Sequence, residues 1–559
     1  MAGLFACSSE KKEPADLVLM NGKIVTVDEA NPVAQALAVK GDEILAVGSD
    51  KEIKPHISDA TKVIDLDGKL AIPGFIDSHG HFLSLGYAKM RLDLTKVNNF
   101  EEITAMVKEA VQKAKPGEWI LGRGWHQEKW DKAPDPNIDG LPLHHALSSV
   151  SPGNPVLLSH ASGHSCMANA KAMELAGITS KTPDPGGGEI VKDAQGNPVG
   201  IFRETAQGLL RSQRDEYRSQ RTSEEIKAEE LKALDLAVAE CLSKGVTSFH
   251  DAGVSFEIID MYKQLVQEKK LKIRINAMVN ASNERMKQDL DKYRVIGMGE
   301  HHLTVRCIKR LIDGALGSHG AWLLEPYNSL PTSVGLNTEP VEAMKETAAL
   351  AMEKGFQLAT HAIGDRANRE TLNIYEEAFK GHPEKKDLRW RIEHSQHLHP
   401  DDIPRFGKLG IIASMQGIHC TSDGPWVIKR LGTKRAKEGA YVWQKLMKSG
   451  ALICNGTDVP VEDVDPVACF YASVSRKLKD GSYFYAKQKM TREEALRSYT
   501  LNGAYASFEE DIKGSLTPGK LADITVLSQD IMTVPEDEIL NTKVLYTIVG
   551  GQILYEAKK

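Results

Sequence analysis

Cysteine is scarce in this chain of 559 residues and never paired: Cys7, Cys166, Cys241, Cys307, Cys420, Cys454 and Cys469 stand singly, with no Cys-x-x-Cys. An odd, dispersed set excludes a disulfide framework and a cysteine-held zinc knuckle, and leaves most of these thiols as small buried hydrophobes. No apolar run approaches the ~20 residues needed to span a bilayer. No long basic run is present and the formal net charge is −6, so nothing marks a nucleic-acid partner. Internal repeats and low-complexity tracts are also missing. What remains is ordinary globular composition, 41% hydrophobic and 26% charged, with material for a large core.

Cys7 stands apart. Leu4-Phe5-Ala6-Cys7-Ser8-Ser9 looks like the cleavage box of a bacterial lipoprotein, and Glu10-Lys11-Lys12-Glu13-Pro14 like its polar tether. A working signal needs a charged start and about 7–15 apolar residues before that box. If a longer signal precedes Cys7, the protein is expected to be lipid-anchored there in the cell envelope; if Met1 is the true start, it is expected in the cytoplasm. Residues 1–15 are read as this tail.

Residues 17–70 show short β-rich segments broken by turns, and Asn21-Gly22 between apolar runs predicts a hairpin. The C-terminus repeats the style, with Ala522–Leu527, Val544–Val549 and Gln552–Tyr555. One small β-sandwich domain built from both termini, residues 16–69 and 510–559, is the expectation. Between them, short apolar strands alternate with amphipathic helical stretches, the pattern of βα units. Eight strands are predicted: Leu70–Asp77, Val246–His250, Ile273–Val279, Leu303–Ile312, Phe356–His361, Arg389–His394, Ile411–Met415 and Ala451–Cys454. The fold class is therefore α/β, a (β/α)8 TIM-like barrel over residues 70–94 and 240–509. The long gap after the first strand, residues 95–239, predicts a large insertion over the barrel mouth.

Chemistry gathers where the strands end. In Pro73-Gly74-Phe75-Ile76-Asp77-Ser78-His79-Gly80-His81, residues two apart on a strand share a face, so His79 and His81 can offer two imidazoles to one metal ion. Catalytic groups of barrel enzymes sit at the C-terminal ends of strands, and those ends carry His361, His394 and Asp458. Imidazole with carboxylate suits a borderline divalent cation such as Zn2+, one or two ions per chain. The same alternation places Asp77 on the ligand face and Glu393 on the opposite one. Lys309 lies on the fourth strand; burial would give it a neutral amine able to add carbon dioxide and form a carbamate, whereas pairing with Asp313 or Glu325 would make it structural.

Together Pro73–His81, Gly245-Val246-Thr247-Ser248, the lysine strand, the two single histidines, Gly456-Thr457-Asp458, Thr500–Tyr505 and Pro518–Asp523 resemble the metal-dependent amidohydrolase superfamily. Trp119–Trp125, Ser162-Gly163-His164, Gly200–Glu204, Ile363–Arg366 and Gly456–Val461 are similar more narrowly to the amidohydrolase-3 group, which includes N-substituted formamide deformylase. The resemblance runs from residue 16 onward. It implies that His79, His81 and Asp458 hold the more buried metal, that His361 and His394 hold the second, and that a carbamylated Lys309 bridges them.

The expected reaction is hydrolysis of a non-peptide carbon–nitrogen bond in a small-molecule amide, an N-substituted formamide or a cyclic amide. A bound divalent metal brings the pKa of water to near 7, and Asp458 is the natural general base. Trp125, His126, Trp130 and His164 in the insertion are candidate lid residues, and Trp125, His164 and Glu204 candidate substrate-binding ones. Two alternatives stay open. A hydrolytic deaminase of an aminoheterocycle favours His-x-x-Glu on the fifth strand, where this chain has His361-Ala362-Ile363-Gly364-Asp365. A catalytically inactive binding relative would have lost ligands that this chain keeps. A homo-oligomer is compatible with the sequence.

Overall fold

The computed structural model describes residues 12–558, so Cys7 and its lipoprotein-like box lie outside the described residues. Eight parallel strands form the centre: β1 (Phe75–Gly80), β2 (Val246–Val254), β3 (Arg274–Val279), β4 (Leu303–Leu311), β5 (Gln357–Ala362), β6 (Arg391–His394), β7 (Ile412–Met415) and β8 (Ile453–Asn455). They pair in that order into a nearly closed barrel. Helices cover its outside; Val341–Lys354, between β4 and β5, buries Met344, Ala348 and Ala351 and ends on Gly355 at φ +68°. The left-handed residue is the usual helix stop, and glycine adopts it without steric cost. No strand ladder joins β8 to β1. A loop closes the gap, with the Asp458 N–H donating to His79 O (2.7 Å) and the His81 N–H to Val459 O (2.7 Å).

The predicted first strand is in fact two. Leu70–Pro73 pairs with Lys23–Val25 and Ile524–Leu527 in the small domain, and only Phe75–Gly80 enters the barrel. Pro73 lacks an amide donor, and Gly74 sits where an added Cβ would fall 2.2 Å from Thr247 Oγ1, so the strand changes sheets at this pair.

The small domain is a sandwich of a four-stranded and a six-stranded sheet drawn from both termini. Leu17, Leu37, Val39 and Ile64 of one face Ile24, Ala71, Ile524 and Ile548 of the other. The hairpin expected at Asn21-Gly22 does not form. Leu17–Met20 pairs with Ala36–Lys40 and Lys62–Asp65, while Lys23–Val25 pairs in the second sheet. Asn21-Gly22 is a step between sheets, with Gly22 packed so tightly on Leu66 that a Cβ would lie 2.4 Å from its Cδ1.

The insertion carries its own six-stranded sheet, ordered Gly188–Lys192, Pro198–Glu204, Ser165–Ala168, Val156–His160, Ile120–Trp125 and Leu92–Asp93. It starts earlier than residue 95, because Leu92–Asp93 is its edge strand. Apolar side chains pack on both faces of this sheet, and helix Ser223–Ser243, opened by a Thr222/Glu225 capping box, leads back to β2.

Candidate metal centre

His79 ends β1 fully buried, and His81 follows at the head of helix Phe82–Lys89. Their rings lie 5.7 Å apart. Asp458 meets both from the loop after β8, with Oδ1 3.6 Å from His79 Nε2 and 3.3 Å from His81 Nε2. Its backbone is left-handed at φ +58°, a conformation that costs energy outside glycine and collects at functional sites. Asp77 holds that loop, accepting from Thr457 N (3.0 Å), Thr457 Oγ1 (2.5 Å) and His79 N (3.2 Å). Burial pushes the Asp77 carboxyl up to about 7 against those bonds, with Asp458 adding to the rise.

Strand register brings the other histidines to the same level, His361 opposite Leu311 and His394 opposite Ala362. The His394 ring lies 4.7 Å from His79 and 4.5 Å from His361. Its Nδ1–H donates to Gln416 Oε1 (2.7 Å), which aims Nε2 at the centre. His79 is oriented the same way by Glu393, which accepts from its Nδ1–H.

Alternation had placed Glu393 on the face away from the ligands. The structure reverses this: Arg391 and Glu393 keep the alternation and point inward, and His394, at φ +74°, turns to the mouth instead of outward. Arg391 locks Glu393 with two bonds (2.7 and 3.0 Å) and also holds Ser78 O (2.7 Å) and Ser414 Oγ (2.7 Å). Arg391 and the His79 contact keep Glu393 ionised well below the usual carboxylate range, overcoming a burial effect that alone would raise it.

His419, in the first turn of helix Gly417–Leu431, was missed. Its Nδ1 accepts from Gln396 Nε2 (2.9 Å), and its Nε2 faces Asp458 Oδ2 at 3.8 Å. The signal was present: β7 ends at Met415 with no candidate of its own, and His419 stands four residues on. Asp313, just past β4, was weighed only as a partner of Lys309. It accepts instead from Trp322 N (2.9 Å), Ile363 N (3.0 Å) and Gly364 N (2.8 Å), and sits 3.5 Å from His361 Nε2. Lys309 is 2% exposed. Its stem passes Gly253, where an added Cβ would lie 3.5 Å from Lys309 Cγ. Burial lowers its pKa, opposed by Glu393 and Asp458.

The residues present fit a cation. Buried polar atoms are almost always hydrogen-bonded, yet His79 Nε2, His361 Nε2 and Asp458 Oδ1 have no hydrogen-bond partner among the described residues. Ligand atoms of His79, His81 and Asp458 lie within 4.8 Å of one another, as do those of His394, His419 and Asp458. Burial, then Lys309, lowers His79 to about 4, and burial followed by neighbouring histidines holds His361 and His394 well below the ordinary value. Neutral imidazole is the form that binds metal.

A cavity opens over these groups, enclosing about 530 Å³ with its open side, lined by His126, His164, His361, His419, Asp423 and Trp426 among others. Trp125, a candidate substrate contact, does not reach it. Its ring is fully buried in the insertion's core with Nε1 donating to Leu158 O (2.9 Å). Neither does Glu204 line the cavity. It stands behind His164, accepting from Nδ1 (2.7 Å), with its carboxylate against Gly314 and Gly320, where an added Cβ would fall 2.0 Å from Oε1. His164 does face the cavity, its ring 4.9 Å from His361. Burial disfavours its charge, but Glu204 outweighs that and raises its pKa.

Residues 62–555 match the amidohydrolase family. Protein LONG AFTER FAR-RED 3 of Arabidopsis thaliana is 35% identical over 553 residues, covering 97% of this chain and 92% of its own. N-substituted formamide deformylase of Arthrobacter pascens is 27% identical over 548 residues, 97% of this chain and 98% of its own. Among solved structures, an uncharacterized metal-dependent hydrolase from Pyrococcus horikoshii OT3 superposes with a TM-score of 0.72 at 27% identity, covering 93% of this chain and 99% of that one. With the family matched across most of its length, and a group of histidines and an aspartate able to hold a metal at its barrel mouth, the chain belongs to the amidohydrolase family and is a hydrolase.

Proposed function

We propose that the protein hydrolyses a non-peptide carbon–nitrogen bond of a small amide, in the class of N-substituted formamides, N-acyl compounds or cyclic amides. One observation carries this reading: buried imidazole nitrogens and a carboxylate oxygen, without hydrogen-bond partners among the described residues, converge under one cavity. The likeness to a protein named N-substituted formamide deformylase supports the substrate class.

His79, His81 and Asp458 would hold one divalent metal, and His361 and His394 a second with Lys309 as a carbamate. Zinc suits the donor set. When bound, such a metal lowers the pKa of water and polarises a carbonyl. Lys309 reaches the carbamate when its neutral amine nitrogen bonds the carbon of carbon dioxide, an electron pair moves onto oxygen, and the amine gives one proton to solvent. Asp458 takes the proton of the attacking water and returns it to the departing nitrogen. His419, which accepts at Nδ1, presents Nε2–H toward Asp458 as a donor for charge developing on the carbonyl oxygen. Glu204 fixes the ring of His164, whose Nε2 edge meets substrate. Asp77 keeps the Asp458 loop in place, and the insertion excludes bulk water.

Purified, metal-quantified protein should release amine and carboxylate (or formate) from members of an N-formyl and N-acyl panel. Chelation should abolish that activity and added divalent metal restore it. Lys309→Ala should lower metal content, with partial recovery by short carboxylic acids. Ammonia released from aminoheterocycles, with no amide turned over, would overturn the reading in favour of a deaminase.

A further inference from the structure

The outer face of the insertion gathers arginines that the acids beside them, Glu118, Asp215, Glu225 and Glu229, only partly neutralise. A cleft runs between helix Phe82–Lys89, helix Gly208–Ser219 and helix Ser223–Ser243, enclosing about 1680 Å³ with its open side. Arg91 and Arg214 line it, with Lys115, Tyr87 and Trp119. Arg91 rests over the Tyr87 ring (5.1 Å) and has no hydrogen-bond or ion-pair partner for its guanidinium among the described residues. Arg211, one helical turn before Arg214 and so on the same side, bonds only neutral oxygens, Gln207 Oε1 (2.9 Å) and Gly163 O (3.4 Å). Arg214 pairs only with its exposed neighbour Asp215 (2.6 Å). The acids nearby have other contacts: Glu230 with Arg218 (3.0 Å), Glu229 with Arg221 and Arg218, Glu225 with Thr222 N (3.0 Å) and Glu118 with Lys115 N (2.9 Å).

Guanidinium groups gathered on one partly exposed face repel one another, and an anion between them relieves that repulsion. Burial, reinforced by Arg214, lowers Arg91 to about 10. Burial does the same to Arg123, opposed by Asp458, with Arg211 and Arg91 adding to the fall. Arg123 too bonds only carbonyls, Ala161 O (3.0 Å) and Pro460 O (3.2 Å). Planar forked donors beside flat apolar rings suit a carboxylate or phosphate carried on an apolar or aromatic body.

We propose that this cleft binds a small anion-bearing ligand, a carboxylate or phosphate held by Arg91 and Arg214, with Arg211 one helical turn away and the ligand's body against Tyr87 and Trp119. The site is linked to the cavity. Arg211 holds Gly163 O, and Gly163 stands between Ser162 and His164, both cavity-lining. The anion therefore bears on that loop, whether it belongs to the far end of the substrate or to a separate molecule.

Equilibrium dialysis of inorganic phosphate against the metal-loaded protein, at ionic strength held constant with chloride, tests the site without any assumption about the reaction. One saturable site per chain is expected. Arg91→Met, which keeps the apolar contact with Tyr87, and Arg214→Gln, a solvent-facing change, should each weaken it, and together by at least tenfold. Arg294→Ala, at an exposed arginine on another element, should leave it unchanged. Absence of saturable binding overturns the proposal, and so does equal affinity in the double variant, which would place the phosphate at the metal centre. The two sources separate by kinetics on paired N-acyl compounds. A KM penalty confined to the carboxylate-bearing member marks a substrate end, whereas phosphate altering kcat for the uncharged member marks a separate ligand.

Discussion

The two ends of the barrel bury polar groups by opposite rules. At the foot, where strands begin, two buried ion pairs are closed within the protein. Arg274 forks onto Asp523 (2.7 and 3.0 Å), tying β3 to the small domain, and Lys513 pairs with Glu509 (2.6 Å), which also accepts from Thr304 (2.7 Å). At the mouth, His79, His361, His419 and Asp458 are equally buried and keep atoms with no partner. The same desolvation cost is met internally at one end and left open at the other. The foot therefore reports on stability, and the mouth on what the protein binds from outside.

Variants at each end can break or sharpen that contrast. Asp458→Asn should have the largest effect, a kcat loss on the order of 10²–10⁴ with a much smaller change in KM, because the amide keeps an oxygen but cannot take the proton. Near-native kcat in single-substrate kinetics would move the base to another residue. Asp523→Ala at the foot leaves Arg274 buried and unpaired, so urea unfolding should show a loss of about 3–5 kcal/mol. Metal per folded chain should stay at the wild-type level, and a drop would erase the division between the ends. Glu393→Gln should weaken metal affinity about 10–100-fold in competitive titration, since the carboxylate that fixes His79 is replaced by a weaker acceptor.

The smallest effect is in pH. Burial first, with nearby cations, holds His126 and His397 neutral at about 3. The unfolded chain takes up protons at about 6.5, so their contribution is complete above that value and is lost as pH falls toward 3, at ~1.4 kcal/mol per group per unit. Asp523 and Glu509 at the foot are shifted downward. Their contribution is present above the unfolded values near 4 and is not lost until lower pH. Asp77, raised to about 7, works the other way over this range, so the histidines are read as a difference between proteins: between pH 6.5 and 5, His397→Leu should change the slope of stability against pH by about 1.4 kcal/mol per unit relative to the wild type. An unchanged slope would assign the loss elsewhere.

Much of the fold was legible because strand ends are punctuated. The barrel strands stand out as apolar or mixed runs, and walking their C-terminal ends leads to His79, His361, His394 and the Asp458 loop, which the fold brings around one centre. Legibility failed where tertiary context decides. Asn21-Gly22 has hairpin chemistry, but its flanking segments find better partners in separate sheets. Glu393 faces inward by ordinary alternation, and it is His394, left-handed at φ +74°, that leaves the pattern and turns to the mouth, which no local sequence signal announces. His419 lies on a helix rather than at a strand end. Trp125 and Glu204 carry family-like motifs, yet sit one layer behind the cavity wall.

The step at Pro73-Gly74 also bears on how the chain is made. Leu70–Pro73 lies between Lys23–Val25, already synthesised, and Ile524–Leu527, which leaves the ribosome more than four hundred residues later. Until then one edge of that strand has no ladder partner, and the segment continuous with it is the first barrel strand, bearing His79. Unpaired edges invite association with other chains, and distant pairings are slow to form. Nascent chains halted before residue 524 are therefore the forms of this protein most exposed to aggregation, and the ones a ribosome-bound chaperone has most reason to hold.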